Sequence, residues 1–306
     1  MTAQDYQLDF NGTVIGDGTP WEVVEWGGLE EFTTRGSDVV APQLWGALSG
    51  SSYVDPRVVT VVVESVNPVD VVLLEAALLP PGQASPDRLV SIRWKFPNRE
   101  ELKANGRCAR RSRARDITTG LGLTRVVVEL EFPDPRAYAA SPSQASLTVF
   151  IAGTSGFDLT VGAGADRGFE LAVDSGVNLG FDLVGVSASG LATLVNSGTV
   201  DTYPTFTFTG IGSGLQQWSV TNLTTGQTST WVQQVNPGEQ LIADMGSVAT
   251  GSPGLPVSLS GVSRYGSWQP PRTPFRLQPG ANLCRFDVAS GDAASASLVV
   301  WSNAYL

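Results

Sequence analysis

Apolar and polar positions in this chain alternate far more often than apolar residues recur every third or fourth place, so strands dominate the expected elements. The clearest case is residues 124–132. Val126, Val128, Leu130 and Phe132 share one face, and Arg125, Glu129 and Glu131 the other. Further strands are predicted over 20–26, 57–64 (Arg-Val-Val-Thr-Val-Val-Val-Glu), 88–96 and 106–114. One segment breaks the pattern. Asn67-Pro68 opens a helix, with proline in its first turn and Asp70 near the positive end of the dipole, and Pro80-Pro81-Gly82 closes it. Val71, Val72, Leu73, Leu74, Ala76, Leu78 and Leu79 surround that helix, which should therefore be covered on most sides. Pro133-Asp134-Pro135-Arg136 then stops the ladder, because neither proline donates a backbone N–H and each restricts the residue before it. It reads as a stiff exit from a sheet, at a domain edge.

Residues 139–146 are small and polar, as in a linker. Beyond them, strands are expected at short spacing. Residues 205–209 (Thr-Phe-Thr-Phe-Thr) alternate cleanly, and 218–221 run through the turn Asn222-Leu223-Thr224-Thr225-Gly226 to a return strand at 230–232. Residues 275–277, 283–288 and 297–301 follow. Many strands, Gly/Pro turns and no helix predict a β-sandwich of jelly-roll type. The expected fold class is mainly β: an N-terminal α+β domain over 1–142, a bent sheet or split barrel with one helix, and a β-sandwich over 143–306. A length of 306 residues suits two cores.

Composition narrows the chemistry. Hydrophobic residues at 42% rule out a disordered chain. The first residues carry no secretory signal, and the longest apolar run, 69–79, is interrupted by Asp70 and Glu75, so no membrane insertion is expected. Cys108 and Cys284 lie far apart and are expected to be free thiols in different domains. Histidine is absent, which removes Ser-His-Asp and Cys-His arrangements, the usual zinc ligands and the commonest general base. No catalytic residue, cofactor or metal site is assigned. Asp158, Asp166, Glu170, Asp174 and Asp182 read as solvated turn formers or, alternatively, as the acid pair of a glycosidase. Gly162-Ala163-Gly164-Ala165-Asp166-Arg167-Gly168 misses a dinucleotide fingerprint by one residue and is read as a loop.

The net charge of −10 argues against a nucleic-acid binder, yet seven Lys and Arg residues fall between Arg99 and Arg115, opposed by Glu100 and Glu101. On an extended strand Arg107, Arg111, Arg113 and Arg115 share a parity. Together with Arg110 they are the candidate subunit-interface or channel-facing residues. The open readings are a solvated strand, contact with an acidic face of a neighbouring subunit, and transient contact with passing DNA. Trp218, Trp231, Tyr265 and Trp268 are candidate glycan or partner contacts, the other reading being that sandwich tryptophans are core or interface.

Several separated motifs resemble one family. Phe10-Asn11-Gly12-Thr13-Val14-Ile15-Gly16 with Gly27-Gly28-Leu29, the basic strand, and Phe132-Pro133-Asp134-Pro135-Arg136-Ala137-Tyr138 are similar to the hub domain of distal tail proteins (Dit-like, siphovirus-type minor tail proteins) of long-tailed phages, particularly those infecting actinobacteria. Asn196-Ser197-Gly198-Thr199-Val200-Asp201-Thr202-Tyr203-Pro204 and Phe275-Arg276-Leu277-Gln278-Pro279-Gly280-Ala281-Asn282-Leu283-Cys284-Arg285-Phe286 resemble the opening and the closing hairpin of the family's second domain. The chain departs from the family at Gln43-Leu44-Trp45-Gly46-Ala47-Leu48-Ser49-Gly50, and 147–195 matches none of it. The resemblance implies a non-catalytic, homo-hexameric ring in the virion tail tip, assembled in the host cytoplasm. Its partners would be the tail tube protein, the tail-tip hub and other minor tail proteins, with DNA at most passing through the lumen. It also implies a galectin-like shape for the sandwich. The alternative is a carbohydrate-binding module or receptor-binding tail protein that recognises host surface glycans.

Overall fold

The computed structural model describes residues 3–29, 31–36, 39–40, 47–48, 52–79, 89–113, 122–148, 190–250, 255–291 and 296–306. The first part contains β1 (Gln7–Phe10), β2 (Thr13–Gly16), β3 (Glu22–Gly27), β4 (Thr34–Gly36), β5 (Val39–Val40), β6 (Ala47–Leu48), β7 (Ser52–Val54), β8 (Arg57–Ser65), α1 (Pro68–Ala77), β9 (Val90–Lys95), β10 (Leu102–Arg113), β11 (Thr124–Phe132) and β12 (Ala137–Ala139). The second contains β13 (Ser143–Thr148), β14 (Leu191–Asn196), β15 (Thr205–Thr209), β16 (Leu215–Asn222), β17 (Gln227–Val235), β18 (Gln240–Asp244), α2 (Met245–Thr250), β19 (Val257–Leu259), β20 (Val262–Ser263), β21 (Gly280–Gly291), β22 (Ala296–Trp301) and β23 (Ala304–Tyr305). The chain is mainly β, and among the described residues most buried apolar side chains gather in two clusters, one in each part.

The first sheet runs β2-β1-β9-β10-β11-β8-β3. The valine-rich strands β8 and β11 pair along their whole length, which puts Val59, Val61, Val63, Val126, Val128 and Leu130 on one buried face. The β1–β2 hairpin turns at Asn11-Gly12, both left-handed with φ of 51° and 93°, as a two-residue turn matched to strand twist requires. Gly16 N–H donates to Trp21 O at 2.8 Å, so the edge strands β2 and β3 approach at one end and the sheet curls around its core.

Helix α1 starts where the sequence predicts, with the Asn67 side chain accepting from Val69 N–H at 3.1 Å. Trp21 Nε1 donates to Asp70 O at 2.7 Å and pins this end. The expectation that the helix is covered on most sides is corrected. Val71, Leu74 and Leu78 are buried against the sheet, but Val69, Val72 and Leu73 are exposed. A single layer of sheet can cover only one stripe of a helix. The predicted stop at Pro80-Pro81-Gly82 lies outside the described residues.

In the second part, the sheet β13-β22-β15-β18-β19-β20 faces the sheet β14-β21-β16-β17, giving the expected sandwich. Phe206 and Phe208 from one sheet meet Trp218, Trp231 and Phe286 from the other. The six-residue α2 was not anticipated. Asp244 starts it, its carboxylate accepting from Gly246 N–H at 2.9 Å and Ser247 Oγ at 2.6 Å. Asn196, Asn222 and Asn282 are fully buried and satisfied by turn backbone; Asn282 Nδ2, for example, donates to Gln278 O at 2.8 Å, and its Oδ1 accepts from Asn222 Nδ2 at 3.0 Å.

Where the two parts meet, the reading of Pro133–Arg136 as an exit is also corrected. β11 and β12 pair with the same edge of β10, before and after the Pro-Asp-Pro-Arg segment, so the prolines mark an excursion from a ladder that resumes. The supposed linker 139–146 holds the end of β12 and the start of β13. β12 then pairs with β23, the last strand, and Ala139 N–H donates to Asn303 O at 2.8 Å. Thr199 N–H reaches Ala304 O at 2.9 Å from the other side. A Cβ on Gly198 would lie 2.6 Å from the Ala304 amide nitrogen and closer still to its carbonyl oxygen. Backbone cannot yield as a flexible side chain can, so Gly198→Ala should cost about 1–3 kcal/mol. Denaturant unfolding measures this, and a variant as stable as the parent would contradict the close seam.

Candidate functional site

The basic strand lies on β10, and a β-bulge decides where its arginines point. Arg107 stands opposite Glu131 and Arg110 opposite Glu129, so the register slips between Cys108 and Arg110. One extra residue reverses the parity of everything after it. Arg107 and Arg110 thus share the face of Glu129 and Glu131. Arg111 and Arg113, opposite Val128 and Val126, share the face on which α1 lies. The single row expected from simple alternation is not formed, and Arg115 lies outside the described residues.

Carboxylates of the same sheet answer the outward guanidinium groups. Arg107 Nε donates to Glu131 Oε2 at 2.9 Å, and Arg110 Nη1 lies 3.5 Å from Glu129 Oε1. Arg111 Nη1 donates to the Glu75 carbonyl at the flank of α1. Exposed pairs of this kind contribute about 0–1 kcal/mol each. Carboxylates thus match Arg107 and Arg110, while Arg111 meets a neutral carbonyl and keeps its charge.

The aromatic candidates divide sharply. Trp218, Trp231 and Trp268 are 1%, 0% and 0% exposed, so they are core side chains and present no face to a sugar ring. This corrects their assignment as glycan contacts. Phe208 packs 5.3 Å from Trp218 and 4.9 Å from Trp231, centroid to centroid. Only Tyr265 of the four is exposed; it meets Trp268 edge-on at 6.0 Å, with the Arg272 guanidinium 5.1 Å from its ring.

The seam gathers polar groups that sequence reasoning did not single out. Asp134 Oδ1 accepts from Arg136 Nε at 2.8 Å, and its Oδ2 accepts from Tyr138 OH at 2.7 Å. Burial first, and then the Asp134 carboxylate, pushes the Tyr138 phenol above its ordinary range. The Arg136 guanidinium lies 4.9 Å from the centroid of the Tyr203 ring, joining the first part of the chain to the second. Tyr305 OH donates to Glu100 across the same junction. A signal for one seam residue was present: Arg57 shares the parity of the buried Val59, Val61 and Val63.

Both cysteines are free; Cys284 is buried in the sandwich, where desolvation pushes its thiol up to about 12. Among the described residues no group of His, Cys, Asp or Glu is placed to hold a metal, and no helix is long and apolar enough to cross a membrane. Asp158, Asp166, Glu170, Asp174, Asp182 and the loop from Gly162 to Gly168 lie outside them. Because the tryptophans are core, Trp218→Ala or Trp231→Ala should cost about 3–5 kcal/mol. Chemical unfolding reads that loss, and a variant of unchanged stability would contradict the placement.

No protein-family model matches the chain, and no curated protein matches it in sequence. Solved structures do match it. The Dit protein (gp 19.1) of SPP1, described as a paradigm of the hub adsorption apparatus in Gram-positive infecting phages, aligns over 98% of this chain and 99% of its own, with a TM-score of 0.65 at 12% identity. A chain of the phage P2 baseplate, in its activated conformation with Ca, aligns over 96% of this chain and 97% of its own, with a TM-score of 0.51 at 9% identity. Along nearly its whole length, this chain has the fold of the SPP1 Dit protein.

Proposed function

We propose that this chain is a structural component of a phage tail tip, forming a hexameric ring that connects the tail tube to the tail-tip hub and fibres. The observation that carries this reading is the likeness to SPP1 Dit over 98% of the chain, both parts included. The sequence resemblance of the hub motifs and the closing hairpin supports it independently. In this reading residues 1–142 are the ring-forming hub and 143–306 the outward sandwich, a division that the two separate cores favour. The partners are further copies of the chain, the tail tube protein, the tail-tip hub and other minor tail proteins, with DNA only passing through the lumen. Its place is the virion tail tip, after assembly in the host cytoplasm, and its role is not catalytic. The actinobacterial host implied by the sequence resemblance finds no support in these neighbours.

A ring requires a surface that contacts another copy. The apolar face of α1 is the best candidate, because Val69, Val72 and Leu73 stand exposed on one helix with Arg111 at its flank. Arg111 and Arg113 lie on the same face of β10 as the helix and extend the proposed contact, whereas Arg107 and Arg110 stand on the opposite face. The glycan-binding alternative keeps Tyr265 alone of its four aromatic residues.

Light scattering tests the proposal. The chain should sediment and scatter as a particle of six times its own mass. Val69→Asp with Leu73→Asp should lower that mass while the melting temperature holds, and Ser at the five arginines should impair ring or tail assembly with the fold intact. A stable monomer that binds glycans would overturn the reading.

A further inference from the structure

Helix α1 presents an apolar stripe that has no cover among the described residues. Val69, Val72, Leu73 and Ala76 are exposed and stand at i, i+3, i+4 and i+7, so they fall on one face. Val71, Leu74 and Leu78, on the other face, fasten the helix to its own sheet and turn the stripe away from its own chain. Arg111 and Arg113 of β10 lie on the helix side of the sheet, and Arg111 donates to the neutral Glu75 carbonyl. The acidic side chains of the helix, Asp70 and Glu75, sit about 110° around its axis from the middle of the stripe.

A second apolar surface lies toward the other end of β8. Trp26, on the edge strand β3, meets Phe96 edge-on at 5.3 Å, and Tyr6 meets Phe96 at 6.3 Å. With Leu29 these rings wall an open cavity of about 480 Å³. Tyr6 is 54% exposed, so the aromatic surface is open to a partner. Glu31 also lines the cavity, and Glu22 and Glu25 are exposed on the same strand as Trp26. Arg99 lines it too, engaged in an interaction of its own. Gly28, on the cavity wall, packs on the Val58 carbonyl near the start of β8, whereas α1 begins beyond Ser65 at its end. Seven residues of strand, at about 3.3 Å each, separate the two.

We propose that the α1 stripe of one copy seats in the Tyr6–Trp26–Phe96 groove of the next, with Arg111 and Arg113 toward Glu22, Glu25 and Glu31. The inference rests on the ring reading above and gives the ring its polarity. One patch meeting itself ends at a dimer, so a ring of more than two copies needs two unlike surfaces on each chain. The stripe and the groove are such surfaces: both apolar at the centre, one with a basic flank and the other with an acidic rim. Anchors at i, i+3, i+4 and i+7 are the form in which a helix enters an apolar groove.

Sedimentation and light scattering on the full chain test this with two variants, alone and mixed. Val69→Asp with Leu73→Asp spoils the stripe and leaves the groove; Tyr6→Lys with Glu31→Lys spoils the groove and leaves the stripe. All four positions are exposed, so both variants should keep the parent's melting temperature to within a few degrees. Each alone should drop to the mass of one chain. Mixed in equal amounts they should form pairs of twice the chain mass and go no further, because each pair holds one intact stripe in one intact groove. Glu22→Lys with Glu25→Lys, which leaves the groove wall untouched, should lower the assembled fraction. A parent that is itself monomeric would overturn the ring reading and this inference with it. A parent ring that survives the groove variant or the rim variant unchanged, or a mixture in which no pairs form, would overturn this inference alone.

Discussion

The pairing of the last strand, β23, with β12 of the first sheet is the interaction on which the rest of this architecture depends. β12 is short, and without β23 its outer edge would present unpaired N–H and C=O groups. The contact is possible because its members are small. Ala137, Ala139 and Ala304 are fully buried, and Gly198 sits directly over the Ala304 backbone. Side chains of any size would hold the backbones apart. The seam is thus bound by peptide groups at close range, with Arg136 stacked on Tyr203 beside it. It adds little apolar area of its own, yet it orients two separately packed cores.

The sandwich is fitted to that role by its interior. Rings from both sheets interlock around Phe208, and buried asparagines fasten the turns at Asn196, Asn222 and Asn282. The indole N–H groups of Trp218, Trp231 and Trp268 have no partner in that core. Each costs about 1–3 kcal/mol, which burial of the large ring surfaces must offset. The first sheet carries its charged pairs on its central strands instead, as arginines and glutamates matched across β10 and β11, and α1 leaves valines exposed beside them.

Local signals were legible in the sequence; long-range ones were not. Alternation located β8, β11 and β15, and Asn67-Pro68 located α1 to the residue, because those features are decided within a few residues of chain. Simple parity failed on the arginines, since the bulge at Cys108–Arg110 is fixed by the partner strand. The Pro-Asp-Pro-Arg segment was rightly taken for a break, but only the continuous edge of β10 reveals that pairing resumes after it. The tryptophans could be assigned to core or surface only once the facing sheet was known. Arg57, Tyr203 and Tyr305 come from three distant segments, so the seam they line has no local signature. Arg57 alone left a trace, a charge in the apolar register of a strand.

If the β12–β23 pairing couples the two cores, calorimetry of the chain and of a form lacking residues 302–306 tests it most directly. The account predicts one cooperative transition for the complete chain, with agreement between calorimetric and van't Hoff enthalpies. Without the last strand it predicts two transitions, the one arising from the first part shifted to lower temperature. The same single transition, at the same temperature, in both forms would contradict it.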